Sequence, residues 1–323
     1  MRRSGAWESG MKQLLVVVAG LPIIGCAVGS ADAQQSREAN DGAFQSARFE
    51  TTALTSPSSA TSTVSPSTVP QTFSRLDDSQ TDLALTLGTS YASGKFGTGS
   101  NTTILTSALG ARLRVSNWTI SASLPWMRIR SRSTVFTGID ATPVLVAPNS
   151  TSRSIVSDGF GDVTLGGSYS IAPKAAPFEI ELSGRAKMNT ATKSSGLSSG
   201  ENDYSVGGDV SVPLGRVTPF ASLSYRFLGN TAQYNLRNGP AGSAGASYAL
   251  GHQSYLLASY HYSSAATHLV NDAHELFGGA STRIARSPLR LTAYATAGLS
   301  NGAPAASGGL ALSIDVSKAT AKR

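Results

Sequence analysis

The charged side chains of this sequence recur at every second position of several segments, and this spacing gives them a common chemistry. In residues 179–188, for example, Glu179, Glu181, Arg185 and Lys187 alternate with apolar residues. Residues two apart point to the same face of a β-strand, so these charges share one face. Facing ladders of opposite sign can set the electrostatic profile of a pore. The candidate pore-lining charges are Arg112, Arg114, Asp162, Glu179, Glu181, Arg185, Lys187, Asp203, Asp209, Arg226, Glu275, Arg283 and Arg290, with Asp315 in the same register.

Ion pairs are expected among these charges, because a buried charge without a partner is costly. We expect Arg185 to pair with Glu179 or Glu181, or with Asp203 or Asp209 on the following strand. The sequence leaves open whether the ladder selects solutes or only stabilises the structure.

A second candidate chemistry is hydrolysis at His261 and Ser263. Together with Asn271 they superficially resemble the His-x-Ser and Asn arrangement of an outer-membrane phospholipase. In such enzymes the nucleophile and base act on the lipid-facing wall. Here Tyr260 and Tyr262 take the apolar, outward register, which turns His261 and Ser263 inward. We therefore expect no enzymatic activity.

Metal and cofactor sites are not indicated. Cys26 is the single cysteine, and His252, His268 and His274 lack the spacing of metal ligands. The Gly-rich stretch at residues 94–99 joins two strands and does not open a helix, which argues against phosphate binding. We expect no cofactor.

The segments that carry the charges have the period of two of β-strands. Twelve such segments follow one another from residue 76 to residue 316, each about ten to thirteen residues long. This is the length of a tilted membrane-spanning strand and exceeds the usual strand of about five or six residues. In the third strand we expect the outward register to change near Pro125 and Trp126, at a bulge or at the membrane boundary.

The connections between the twelve segments alternate in length. Those after the even-numbered strands are short, whereas those after the odd-numbered strands are longer and polar. An even number of antiparallel strands with this asymmetry predicts an outer-membrane β-barrel. Twelve strands give a backbone radius of roughly 13 Å and thus a narrow lumen. The longest connection, residues 131–158, is expected to help set selectivity.

A soluble β-sandwich would show the same alternation, so other features must separate the two folds. Long strands that close on themselves leave no unpaired edge. Aromatic residues also fall near strand ends, as in the interfacial girdles of barrels, whereas a sandwich core would draw them inward. The predicted girdles are Trp118, Tyr169 and Tyr248 on the turn side and Tyr91, Trp126, Tyr204, Tyr225, Tyr260 and Tyr262 on the loop side.

The N-terminal part of the chain is predicted to be outside the barrel. Lys12, an apolar run and a small-residue site ending at Ala33 predict a cleavable signal peptide over residues 1–33. A lipoprotein-type cleavage at Cys26 is an open alternative, and Met11 is a second candidate start. Residues 34–75 are rich in Ser, Thr and Pro and are predicted to be disordered. Residues 317–323 form a short C-terminal tail.

Five motifs at strand-loop borders resemble those of the outer-membrane β-barrel family labelled meta-pathway phenol-degradation proteins, or simply transporters. The resemblance covers roughly residues 76–316 and implies a channel-like protein associated by label with aromatic compounds. The motifs are Gly159-Phe160-Gly161-Asp162-Val163, Gly200-Glu201-Asn202-Asp203-Tyr204-Ser205, Thr218-Pro219-Phe220-Ala221, Tyr225-Arg226-Phe227-Leu228-Gly229 and Asp272-Ala273-His274-Glu275-Leu276.

Together these features predict an all-β protein: a twelve-stranded antiparallel transmembrane barrel in the outer membrane of a Gram-negative envelope. We expect passive diffusion of small molecules, aromatic or otherwise hydrophobic ones among them. The alternative is a structural or surface-interaction barrel with a closed lumen. Expected partners are outer-membrane lipids, a small-molecule solute and the barrel-assembly machinery. Nucleic acid is not expected, because the formal charge of +7 is spread along the chain and not clustered.

Overall fold

The fold is taken from a computed structural model, which describes residues 81–96, 98–147, 153–173, 178–191, 195–231, 234–251, 253–284 and 287–316. The predicted signal peptide, the Ser/Thr/Pro-rich segment and the C-terminal tail lie outside these residues. Among the described residues, no helix has the length and apolar character needed to cross a bilayer.

The described residues form β-strands and one 3-10 turn, Ile139–Ala141. The strands run from the predicted start of the alternation to its predicted end. They are β1 (Asp82–Gly94), β2 (Thr102–Val115), β3 (Trp118–Ser131), β4 (Thr134–Thr137), β5 (Pro143–Ala147), β6 (Ile155–Phe160), β7 (Val163–Ile171), β8 (Glu179–Met188), β9 (Asp203–Ser211), β10 (Val217–Phe227), β11 (Gly239–Ala249), β12 (Ser254–Ser263), β13 (Ala273–Arg283), β14 (Leu289–Gly298) and β15 (Ala306–Asp315).

Neighbouring strands pair antiparallel, and the sheet closes when β15 pairs with β1 from Ala84↔Asp315 to Ser93↔Ala306. β6 and β7 together occupy one position in the wall, since β6 pairs with the far half of β3 and β7 with its near half. The barrel therefore has twelve wall positions, which confirms the predicted strand number. β4 and β5 pair only with each other and are not part of the wall.

The outer face of the barrel is apolar. Leu87, Leu109, Ile120 and Val206 are each more than half exposed, and they alternate with inward residues along their strands. Apolar area in water is unfavourable by roughly 25 cal/mol per Å², so a continuous belt of this kind fits hydrocarbon. The barrel is thus built to span a membrane.

Aromatic side chains flank this belt as predicted, although Trp126 and Tyr262 are half-buried. The exposed ones are Trp118, Tyr169 and Tyr248 at the end with short turns and Tyr91, Tyr204, Tyr225 and Tyr260 at the end with long loops. Trp118 and Tyr169 sit opposite each other on β3 and β7, with ring centroids 4.9 Å apart. Such rings suit the boundary between headgroups and acyl chains.

The predicted change of register in β3 is wrong. β3 pairs with β2 without interruption from Val115↔Trp118 to Thr103↔Arg130, and Pro125 and Met127 continue the buried, inward set. The irregularity lies on the neighbouring strand, where three residues, 161–163, oppose two residues of β3. This is a β-bulge. Beyond the bulge, the inward side chains of Met127 and Ile129 lie in an apolar cluster with Val135 of β4, inside the barrel.

Candidate functional site

The loop after β3 folds back into the barrel as a hairpin. β4 and β5 pair from Thr137↔Pro143 to Thr134↔Ala147, and the 3-10 turn at its tip contacts β3, β7, β8 and β9. Thr137 and Val146 are 1% and 0% exposed, so the hairpin is enclosed on both sides. The predicted loop 131–158 is thus shorter than expected at both ends, because β3 extends to Ser131 and β6 begins at Ile155.

Two apolar clusters hold the hairpin. On one side Val135 packs in a cluster with Ile104 of β2 and Met127 of β3. On the other side Val144 and Val146 pack against residues of the loops that follow β10 and β12. The Thr267 hydroxyl of the latter loop donates a hydrogen bond to the Val146 carbonyl at 2.8 Å. The hairpin is therefore packed inside the barrel at the end that carries the long loops.

A fully buried ammonium joins the hairpin to the wall. Lys187 Nζ on β8 lies 3.2 Å from Asp162 Oδ2 and 2.9 Å from Asp203 Oδ2. It also donates a hydrogen bond to the Thr137 carbonyl at 3.1 Å. Two carboxylates and a backbone carbonyl thus surround one cation, which is the condition for placing such a charge in a dry interior.

The bulge at residues 161–163 explains how Asp162 reaches this position. Leaving the ladder frees its carboxylate to accept hydrogen bonds from the backbone N–H groups of Thr190 and Ala191, both at 3.0 Å. The Ser198 hydroxyl donates a third at 2.7 Å. Gly161 allows the close approach, since a Cβ there would lie 3.1 Å from Pro125 and from Thr137. The loop after β8 is fastened to the wall by these bonds.

Arg185 forms its ion pair with Asp140 at the hairpin tip. The expected pairing with Glu179, Glu181, Asp203 or Asp209 is wrong for this reason: a carboxylate carried into the lumen by the hairpin comes closer than those on the strands. The backbone N–H of Asp140 also donates a hydrogen bond to the Thr164 hydroxyl of the wall at 3.0 Å.

The candidate pore-lining charges all lie on the inner face, in two groups. Towards the turn end of the barrel the charges other than Glu179 are half-buried, and Arg283 pairs with Asp315 at 2.9 Å. The buried members are Asp162, Glu179, Lys187, Asp203, Arg226 and Glu275, and the half-buried members are Arg112, Arg114, Glu181, Arg185, Asp209, Arg283 and Arg290.

The inner face is apolar on one side of the barrel. Leu257 of β12, Phe277 of β13 and Tyr294 of β14 form a buried apolar cluster with Phe220 packed against it. The Phe277 and Tyr294 rings stack with centroids 5.5 Å apart. Offset aromatic contacts of this kind favour burial beyond the area that they remove from water.

Two glycines, one on the same strand and one on a neighbouring strand, make room for these rings. A Cβ at Gly309 would lie 2.8 Å from Tyr294 Cε1 and 2.6 Å from the Thr89 carbonyl oxygen. A Cβ at Gly279 would lie 3.1 Å from two atoms of the Phe277 ring. Small residues beside large ones are the usual way to fill the interior of a small barrel.

His261 and Ser263 point inward as predicted, with exposures of 9% and 5%. The His261 Nε2 atom lies 2.8 Å from the Ser259 hydroxyl, and the Ser263 hydroxyl donates to the Ser264 carbonyl at 3.5 Å. Neither residue belongs to the lipid-facing wall where the phospholipase arrangement would have to act. Within the described residues, no three His, Cys, Asp or Glu side chains come together as a metal site.

The sequence interpretation missed the hairpin and, with it, Asp140. A signal was present, because Val135, Phe136 and the run from Val144 to Val146 are apolar residues within a segment expected to be a polar loop. Apolar side chains in a long connection indicate that the connection is buried somewhere. The alternation within residues 134–137 and 143–147 further indicates short strands.

Closed wall, apolar belt and internal hairpin define a transmembrane β-barrel with a hairpin folded into its lumen. No family model matches the sequence, and no curated protein matches it. Three solved structures similar to it are the translocator domain of the autotransporter NalP from Neisseria meningitidis, the monoaromatic hydrocarbon channel CymD and outer membrane phospholipase A from Escherichia coli. Their identities are 14%, 12% and 12%, and their TM-scores 0.43, 0.39 and 0.38. The matches cover 74%, 77% and 77% of this chain and 90%, 90% and 95% of theirs. None of them assigns an activity to it.

Proposed function

We propose that the chain is an outer-membrane channel for the passive diffusion of small molecules, aromatic or otherwise hydrophobic ones among them, and that the hairpin β4–β5 is its gate. The observation that carries the proposal is the hairpin itself, held inside a closed barrel by one ion pair from Arg185 and one hydrogen bond from Lys187. A wall that needed only stability would be filled by side chains from its own strands. A separate segment that enters the lumen is instead typical of plugged barrels.

The lumen suits solutes with both polar and apolar parts. Charges and hydroxyl groups follow β7, β8 and β9, while Leu257, Phe277 and Tyr294 present apolar surface on β12, β13 and β14. A passing solute can therefore keep contact with either wall. This supports, within the proposal, the association with aromatic compounds that the family resemblance implies. Outer-membrane lipids and the barrel-assembly machinery belong to the same proposal.

A closed structural barrel is the second candidate, and the burial at the loop end favours it. Lys187, Met127 and Leu197 are 0% exposed there, and the clusters around the hairpin have the packing of a protein core. In such a protein the long loops would carry the function.

Removing the hairpin distinguishes the two candidates. Because Thr134 and Ala147 pair across its base, a short Gly-Ser link can replace residues 135–146 without moving the strand ends. In planar bilayers we expect the purified intact protein to show small or rare ion steps, and the deletion variant to show large, long-lived ones.

The control carries Arg128→Gln and Arg130→Gln, which change exposed residues on the outer side of the same loop end. It should conduct like the intact protein. A correctly folded deletion variant that shows no ion steps and no solute flux would contradict the channel and leave the closed barrel.

A further inference from the structure

A small cavity lies between the hairpin and the wall formed by β1, β2, β10, β12 and β13. Its volume is about 50 Å³, and its lining includes Phe96, Ile104, Val135, Leu145, Arg226 and Ser263. One ordered water needs roughly 10–15 Å³ on this scale. The cavity is partly open, so it can take the end group of a larger solute, and its lining combines hydrocarbon with the polar groups of Thr102, Ser263 and Ser264.

Arg226 supplies the positive charge of this lining, and the protein provides acceptors for only some of its hydrogen-bond donors. Its side chain is 9% exposed, and its Nη2 donates to the Ser264 carbonyl at 2.7 Å. Its Nε–H is buried and has no hydrogen-bond partner. A buried guanidinium with an unused donor is costly, because the lost hydration is not replaced.

The neighbouring carboxylates already have other donors. Asp203 accepts from Lys187 and from the Gly229 backbone N–H, and Asp272 accepts from the Tyr262 hydroxyl and the Ala265 backbone N–H. No ion pair with a carboxylate includes Arg226 among the described residues. The guanidinium therefore retains charge and at least one donor for an anion from outside.

We propose that this cavity binds the carboxylate of a small amphipathic anion on Arg226, with the hydrocarbon part of the anion against the hairpin. Carboxylates match a guanidinium edge with charge-assisted hydrogen bonds. A phosphate or sulfate has more acceptor oxygens than the one unused Arg226 donor can satisfy. An uncharged hydrocarbon would leave the Arg226 donor unused. The proposal rests on the proposed channel, since it names the class of solute that reaches the gate.

The site lies where binding can act on the gate. Val135 and Leu145 belong to the hairpin, whereas Arg226 belongs to β10. An anion bound between them contacts both the moving part and the fixed part of the proposed gate. Its differential contact with the closed and open states would shift the balance between them.

The test is binding of sodium benzoate to the intact protein in maltoside micelles, measured by isothermal titration calorimetry against benzamide, which has the same shape without the charge. We expect benzoate to bind at least about tenfold more tightly than benzamide. Arg226→Gln should lower benzoate affinity by about the same factor and leave benzamide unchanged. Arg226→Lys keeps the charge and should lose less. Arg128→Gln, at an exposed residue outside the lumen, is the matched control and should bind like the unmodified protein.

Equal binding of benzoate and benzamide by the unmodified protein would overturn the carboxylate site, and this comparison needs no variant to fold. Unchanged benzoate affinity in a folded Arg226→Gln protein would overturn the role of Arg226. Either result is independent of conductance. A hairpin-deletion variant that conducts would keep the channel proposal even when benzoate fails to bind.

Discussion

The two walls of the lumen are filled by opposite means. Along β7, β8 and β9 the inward residues are polar or charged, and several of the charges are paired, with two partners supplied by the hairpin; we call this the charged wall. Along β12, β13 and β14 Leu257, Phe277 and Tyr294 fill space by packing, and glycines nearby leave room for them; we call this the aromatic wall. The charged wall depends on its ion pairs and hydrogen bonds, whereas the aromatic wall depends on shape. Substitutions should therefore fail for different reasons on the two walls.

The largest loss of stability is expected from Lys187→Leu on the charged wall. It leaves Asp162 and Asp203 buried without their shared cation and removes the donor to the Thr137 carbonyl. Breaking a buried pair by removing one partner costs about 3–5 kcal/mol. Urea unfolding in micelles measures the loss, and limited proteolysis should find the hairpin newly accessible.

The control for this change is Lys95→Leu, since Lys95 is exposed at the end of β1. Adding Asp203→Asn to Lys187→Leu should recover part of the lost free energy of unfolding, because one of the two unpaired charges is then gone. Full stability in Lys187→Leu alone would show that the charged wall does not depend on its ion pairs.

The alternation of apolar and polar residues was enough to predict the twelve strands, their outward faces and the closed barrel. Along β8, for instance, Ile180 and Leu182 face outward and Glu179 and Lys187 inward as predicted. This works because a membrane-spanning strand has one hydrocarbon side along its whole length. The same pattern says only that a side chain is inward and not what it meets there.

What fills the lumen could not be predicted from the strands alone. The alternation pairs Arg185 with carboxylates of the same or the next strand, whereas its partner Asp140 lies in a connection 45 residues away in the chain. The sequence predicts a bulge in β3, because Pro125 and Trp126 interrupt its pattern, whereas the structure has the extra residue on the partner strand. Phe277 and Tyr294 occupy inward positions of the alternating pattern, but the pattern does not identify the glycines that accommodate their rings.

Next to the aromatic wall, Gly309→Ala should cause an intermediate loss of stability. The new Cβ would lie 2.7 Å from the Tyr294 hydroxyl and 2.6 Å from the Thr89 backbone oxygen, and the backbone cannot give way as a side chain can. Overpacking a filled interior typically costs about 1–3 kcal/mol. The unfolding temperature of the folded barrel measures it.

Gly278→Ala is the matched control, because it lies on β13, which pairs with the Tyr294 strand β14, faces outward and has no atom within 4 Å of the added Cβ. It should leave the unfolding temperature unchanged. If Gly309→Ala were equally harmless, the rings of the aromatic wall would be loosely packed, and the contrast between the two walls would disappear.

The smallest effect on stability is expected from Arg185→Gln, at the place where the charged wall meets the hairpin tip. The Arg185 side chain is 38% exposed, so solvent screens its pair with Asp140, and such pairs contribute about 0.2–1 kcal/mol. The effect on the gate should nevertheless be visible, because this pair fastens the tip to β8. We expect more frequent ion steps in planar bilayers at nearly the same urea midpoint. Asp140→Asn removes the same pair and should give the same increase, and the double substitution should add nothing further. An Arg185→Gln protein that unfolds as easily as Lys187→Leu would mean that the tip is part of the barrel core, and the distinction between a stable wall and a releasable hairpin would fail.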